Sequence, residues 1–279
     1  MDVLGFQEFD RIYQETVREV YAHWSPAMQE RLAENCRGWA PDVFDFRNYL
    51  QASSVRFYRA YRRLTELTPG NRVCDVGGFW GVLAVTLKAL GFDVTMTESL
   101  GYYGGAFDPL FRAIEARGIA VVDYDPFAPE ERLPARFDAV TVMAVIEHYP
   151  HSLKPFLGNV KALLGTGGIA HIEVPNIAYW PKRVAFLRGT TPLADARTIY
   201  QSAVPFVGHH HEYTLDELRA VAALAGLEVL REDCYNYSLE AGWGRRLRRP
   251  IEALAFAIVP STRECLSVTC RAAQEAARA

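Results

Sequence analysis

A carboxylate two residues ahead of a glycine turn is the first feature of this sequence that could do chemistry. In the run Arg72 to Leu87, RVCDVGGFWGVLAVTL, Asp75 precedes Gly77, Gly78 and Gly81, and a second acid, Glu98, closes the next apolar run, Phe92 to Thr97. Glycines let backbone come close to a ligand, and an acid at the end of a second strand can accept hydrogen bonds from ribose hydroxyls. A phosphate-binding loop would need a lysine and a Ser/Thr after the glycines, and Gly81-Val82-Leu83 supplies neither. A dinucleotide fingerprint would need G-x-G-x-x-G, whereas the order here is Asp75-Val76-Gly77-Gly78-Phe79-Trp80-Gly81. A ligand carrying a positive amino acid group fits best, because an anion at Asp75 opposes a phosphate and favours a cation.

Two further groups could move a proton. They are Glu147-His148 and His209-His210-His211-Glu212. Histidine is neutral near pH 7 and can take a proton from a hydroxyl. His211 is the first candidate for the base, and His148, with Glu147 beside it, the second. Each group also has a plain structural reading. An acid after a strand is often a helix N-cap, three adjacent histidines can be a solvated loop, and Glu147-His148 can be a pair that pins its loop.

The elements that must position these residues alternate. Strands are expected at Arg72–Val76, Asp93–Thr97, Ile119–Val122, Phe137–Met143, Ile169–Val174, Leu227–Cys234 and Glu264–Cys270. Helices are expected at Gly81–Leu90, Pro109–Ala116, Ser152–Leu164, the stretch opened by the capping box Thr214-Leu-Asp-Glu217, and a basic amphipathic stretch, Arg245 to Ile258. Short β-branched strands separated by helices predict an α/β protein with a mostly parallel sheet covered on both faces. Residues 1–68 show only helical periodicity, with Phe6, Phe9, Tyr13, Val17 and Val20 on one stripe. A longer helix is expected there from about Val43 to Leu64. We expect residues 1–68 to form a helical cap over the mouth of the sheet, and residues 69–279 to form the main domain. Residues 175–212, proline-rich and without a clean period, are expected to be a substrate lid.

Composition is that of an ordinary globular protein, with a formal charge of −3 and no basic footprint for nucleic acid. Five cysteines without a C-x-x-C pair suggest neither a disulfide framework nor a zinc knuckle. Free thiols, the lack of a signal-like start and the lack of a long apolar run lead to an expected cytoplasmic location without a transmembrane segment. Oligomeric state is not legible.

The set Asp75-x-Gly77-x-x-x-Gly81, Glu98, Asp123, FDAVTVMAVIEH, LLGTGGIAHIEVPN and HEYTLDELRAVAALAGLEV resembles the class I S-adenosylmethionine-dependent methyltransferases. The last three resemble their small-molecule subgroup, which includes the ubiquinone-biosynthesis and the sugar and antibiotic methyltransferases. The resemblance implies a Rossmann-like α/β fold whose seven-stranded, mostly parallel sheet has helices on both faces. It implies S-adenosyl-L-methionine as cofactor and a small-molecule acceptor, with a hydroxyl as the expected target. Gly77, Gly78 and Gly81 would pass under the methionine portion beside Asp75, and Glu98 would hold the ribose. Asp123 and Tyr124 would meet the adenine, and Met143 and Ala144 would line the methyl-donor side. Phe79 departs from the family pattern, which has glycine there, so this turn must either suit a phenylalanine or carry strain. No metal is expected. A related metal site would use a glutamate where Ala144 stands, although Glu147, His148 and one of His209 to His211 would still offer ligands for an O-methyltransferase acting on RNA or a quinone-like phenol. A non-catalytic module that keeps the cofactor fold is the remaining alternative.

Overall fold

The computed structural model describes residues 2–125, 127, 133, 136–238 and 250–273. Its centre is strand β1 (Arg72–Val76), buried along all but its first residue. Around it lie β2 (Asp93–Glu98), β3 (Ala120–Asp123), β4 (Phe137–Met143), β5 (Leu164–Pro175), β6 (Leu227–Tyr235) and β7 (Cys265–Ala272). They form one sheet in the order β3-β2-β1-β4-β5-β7-β6, with β7 antiparallel to both neighbours. The strand order reverses between β1 and β4, and that is where an open α/β sheet forms its ligand crevice. Register brings the chemistry to one level, with Asp75 beside Thr141 on β4, Glu98 beside Asp123, and Met143 beside Glu173. β5 starts five residues earlier than expected, with the glycine run drawn into the strand through an irregularity opposite Phe137 and Ala139.

Four helices precede the sheet: α1 (Phe6–Tyr21), α2 (Pro26–Asn35), α3 (Phe46–Ala52) and α4 (Ser54–Leu67). The expected stripe on α1 is buried through Phe9, Tyr13, Val17 and Val20. The single helix expected from Val43 is instead two. It breaks where the Ser53 hydroxyl donates to the Tyr49 carbonyl at 2.8 Å and the Ser54 hydroxyl donates to Asp10 on α1 at 2.5 Å. Serine hydroxyls that find local or tertiary acceptors compete with a continuous helix. α1 and α4 share one core with β1, β2 and α5 (Val82–Ala89), so the stretch expected as a cap has no core of its own. α6 (Asp108–Glu115) joins that face. The other face is covered by α7 (Lys154–Leu163) and α10 (Leu215–Leu224), the latter opened by the expected Thr214–Glu217 capping box. The expected lid holds two short helices, α8 (Trp180–Leu187) and α9 (Ala196–Gln201). The basic helix is seen as α11 (Pro250–Ile258), and Arg245, Arg246, Arg248 and Arg249 lie outside the described residues. All five cysteines are free, and among the described residues no helix is long and apolar enough to cross a membrane.

Side-chain ion pairs tie α4 to the sheet: Arg63 donates to Asp233 on β6 at 2.7 Å, and a more deeply buried pair reaches β5. Arg56 on α4 and Glu173 on β5 are both buried, and the guanidinium donates through Nε at 3.1 Å and Nη2 at 2.7 Å. Tyr235 donates to the other carboxylate oxygen at 2.5 Å, and Arg56 Nη1 donates to the Tyr49 hydroxyl at 2.8 Å. Removing one member of a buried pair leaves the other charge uncompensated. Arg56→Met should therefore cost about 3–5 kcal/mol in urea unfolding, and adding Glu173→Met should recover most of it.

Candidate active site

A cavity of about 530 Å³ opens at the C-terminal edge of β1, β2, β4 and β5, within the range of small-ligand sites. Its two ends differ in chemistry.

At one end the glycine turn follows β1. Gly77 and Gly81 have φ of +67° and +71°, the left-handed region that glycine enters freely. The Gly77 and Gly78 amides both donate to the Thr97 carbonyl, which ties the turn to β2. Gly77 and Gly78 line the cavity; Gly81 is not among the lining residues and serves as the N-cap of α5. Asp75 is buried, and one carboxylate oxygen accepts from the Thr141 hydroxyl at 2.7 Å while the other has no partner. Burial pushes its carboxyl up to about 6, against the Thr141 hydrogen bond. Glu98 accepts from the Phe79 amide and, at 3.1 Å, from the Tyr103 hydroxyl. Burial nevertheless raises it to about 7. A carboxylate has about four lone-pair sites, so Glu98 keeps some capacity to accept from a ligand. Asp123 is exposed at the end of β3 and accepts from the Leu100 amide at 2.9 Å, while Tyr124 is buried behind it. Neither is among the residues lining the cavity, but Met143 and Ala144 both are.

The other end is walled by the N-terminal segment and by residues of the 175–212 segment. Trp39, Phe44, Phe46, Tyr49 and Phe57 supply rings, and Arg56, Glu173, Lys182 and Glu212 supply charge. Here Glu147 is fully buried, and neither side-chain oxygen has a hydrogen-bond partner. Burial raises its carboxyl to about 7. His148 Nδ1 lies 2.6 Å from the Val207 carbonyl, and since a carbonyl only accepts, Nδ1 carries the proton and Nε2 a lone pair. Burial and the neighbouring His209 push His148 down to about 3, which keeps it neutral. His209 Nδ1 likewise donates to Glu212 at 2.8 Å. Glu212 also accepts from Lys182 of α8. Burial would raise the Glu212 carboxyl, but these two partners hold it below its ordinary value. One ligand atom from each of Glu147, His148 and His209 fits within 4.8 Å, which makes this the place where a metal ion could be held.

His211, the first sequence candidate for a base, is exposed beside Glu217 at 3.8 Å and does not line the cavity. Of the histidine run it is His209 that reaches the cavity, because the chain turns where the His210 and His211 amides both donate to the Glu147 carbonyl. Sequence reasoning missed Arg56, Glu173, Lys182 and Tyr235. Arg56 and Glu173 stand 117 positions apart, so no local spacing could have joined them.

A family profile described as a methyltransferase domain matches residues 46–232. Among curated proteins the chain is similar to the ubiquinone biosynthesis O-methyltransferase of Paraburkholderia phymatum, 31% identical over 137 residues that cover 47% of this chain and 55% of the relative. The Ralstonia nicotianae protein of the same name is 29% identical over 133 residues, covering 47% and 53%. The chain thus spans about half the length of the curated relatives it matches. Among solved structures it is similar to an S-adenosylmethionine-dependent methyltransferase from Archaeoglobus fulgidus, with a TM-score of 0.52, 14% identity, and coverage of 77% of this chain and 92% of that one. It is also similar to the Burkholderia thailandensis 1,6-didemethyltoxoflavin N1-methyltransferase, with a TM-score of 0.50, 16% identity, and coverage of 80% and 79%. At these identities the structural likeness shows the fold.

The raised Asp75 carboxyl gives a stability test with a definite sign. The fold favours its neutral form, so the burial cost is absent below about pH 4, grows as pH rises through about 6, and is fully felt at pH 8. Asp75→Asn keeps an acceptor for Thr141 and removes the charge. It should raise ligand-free stability by about 1–3 kcal/mol at pH 8 and change it little at pH 4, read by urea unfolding.

Proposed function

The chain belongs to the methyltransferase-domain family, and from that premise we propose that it transfers a methyl group from S-adenosylmethionine to a hydroxyl of a small molecule, with His209 as the base. The observation that carries the reading is the unpartnered, buried oxygen of Asp75 facing the cavity beside Glu98. A buried acid without a partner is satisfied by a cationic amino group, and the spare accepting capacity of Glu98 suits ribose hydroxyls. Gly77 and Gly78 leave room for close approach, Met143 borders the methyl-donor side, and Asp123 and Tyr124 stand for the adenine side. The cofactor supplies an already activated methyl group, so the protein's task is positioning and exclusion of water. Aromatic rings from α3 and the preceding loop keep the acceptor end dry. His209 Nε2 takes the hydroxyl proton, and the Glu212 carboxylate, locked by Lys182, stabilises the imidazolium that forms. His148 is held too far toward its neutral form to serve as well.

A second reading is favoured by one observation. Glu147, His148 and His209 converge, and the far nitrogens of both histidines are fixed by Val207 and Glu212, as the outer partners of metal-bound histidines are. Under that reading these three residues would hold a divalent ion, which would supply Lewis-acid activation of the acceptor. The readings exclude one another, since a metal-bound Nε2 takes no proton. Elemental analysis of protein purified with added zinc or magnesium decides: about one equivalent, lost in Glu147→Gln, supports the metal, and metal-free protein that retains activity removes it.

Glu98→Ala should weaken S-adenosylmethionine binding by about tenfold or more in calorimetry, as expected for a hydrogen bond to a charged group. Unchanged affinity would remove the ribose role. Cofactor affinity should rise between pH 5 and pH 8 as Asp75 (about 6) and Glu98 (about 7) ionise, and Asp75→Asn should flatten the lower part of that rise. With hydroxylated acceptors, His209→Ala should slow S-adenosylhomocysteine formation by about 10²–10⁴-fold while His211→Ala leaves it near normal. Tight cofactor binding with no turnover of any hydroxylated acceptor would instead indicate a binding module.

A further inference from the structure

Two non-glycine residues among those described have positive φ, and one of them, Phe79 at +51°, sits inside the glycine turn between Gly77 and Gly81. An L-residue there is strained where glycine is not, and strain retained at a site points to a use. The backbone does not explain it. The Phe79 amide donates to Glu98, and a glycine amide would do the same. What glycine would lack is the ring.

That ring lines the cavity and joins a continuous series of aromatic groups. Its centroid is 6.2 Å from Trp39 and 6.1 Å from Phe46. Trp39 is in turn 6.3 Å from the His148 ring, which is 4.8 Å from His209. The left-handed backbone thus lets one residue serve both ends of the cavity, with its amide on the cofactor-side acid and its ring on the acceptor wall. The series leads from Glu98 to the two histidine lone pairs. On the same wall Arg56 is paired with Glu173 and Lys182 with Glu212, and Phe44, Phe46 and Phe57 offer ring edges and faces that suit another ring.

We propose that Phe79, with Trp39, is the specificity-determining residue of the acceptor compartment and selects acceptors that carry a planar aromatic ring. This rests on the reading of the Asp75–Glu98 end as the cofactor site, and the test keeps the two apart. Phe79→Gly retains the amide and the positive φ and removes only the ring. S-adenosylhomocysteine binding is measured first by calorimetry, and its absence in the unaltered protein overturns the functional reading itself. The probe is then 2-naphthol, titrated by fluorescence into S-adenosylhomocysteine-saturated protein, with methyl glucoside as the polar competitor. The expected result is 2-naphthol affinity weakened on the order of tenfold in Phe79→Gly, with S-adenosylhomocysteine affinity held within about twofold. Trp39→Leu, which leaves the glycine turn untouched, should give the same split and serves if Phe79→Gly does not fold. Naphthol binding that is equal in both variants, absent in the unaltered protein or displaced by methyl glucoside would overturn the proposal. So would parallel loss of both ligands.

Discussion

Negative charge withdrawn from water governs this structure. Six carboxylates (Asp75, Glu98, Glu147, Glu173, Glu212 and Glu264) line one cavity, and two cationic side chains, Arg56 and Lys182, line it with them. An ionised carboxylate in such a place must be paired, hydrogen-bonded or driven toward its neutral form. Glu173 and Glu212 take the first course, with Arg56 and Lys182. Glu264 takes the second, accepting from the Tyr237 and Ser238 amides and the Ser238 hydroxyl. Glu98 is part-satisfied by an amide and a phenol. Asp75 and Glu147 keep oxygens that the protein does not satisfy, and their raised pKa values express the cost.

The sheet topology concentrates the acids. Parallel strands β1, β2, β4 and β5 all end at the same edge, so the last residues of each meet in one crevice. The N-terminal helices close its side. α1 and α4 share the core of α5 and the sheet, and the Arg56–Glu173 pair ties α4 to β5 at the aromatic end of the cavity. The 175–212 segment holds both cavity imidazoles, His148 through the Val207 carbonyl and His209 through the chain Lys182 to Glu212, so the orientation of His209 depends on where α8 sits. Stability and site geometry therefore share the same contacts.

The sequence by itself determined the strand–turn–helix unit, the acids that end β1 and β2, the alternation that makes a parallel sheet, and the capping box of α10. These are local patterns: backbone preference, side-chain period and hydrogen bonds reaching three residues write them into neighbouring positions. Tertiary structure alone decided which histidine enters the cavity, since His209 and His211 differ by two positions and their directions are set by amides bonding to Glu147 in a distant loop. It alone decided that Arg56 meets Glu173, and that two serines bonded to Tyr49 and Asp10 break one helix into two. It also decided that Phe79 accepts a left-handed backbone. Apart from the short-range Ser53–Tyr49 bond, these depend on groups far apart in the chain, whose meeting is fixed by packing and by the cost of leaving charge unpaired, and no local spacing records that.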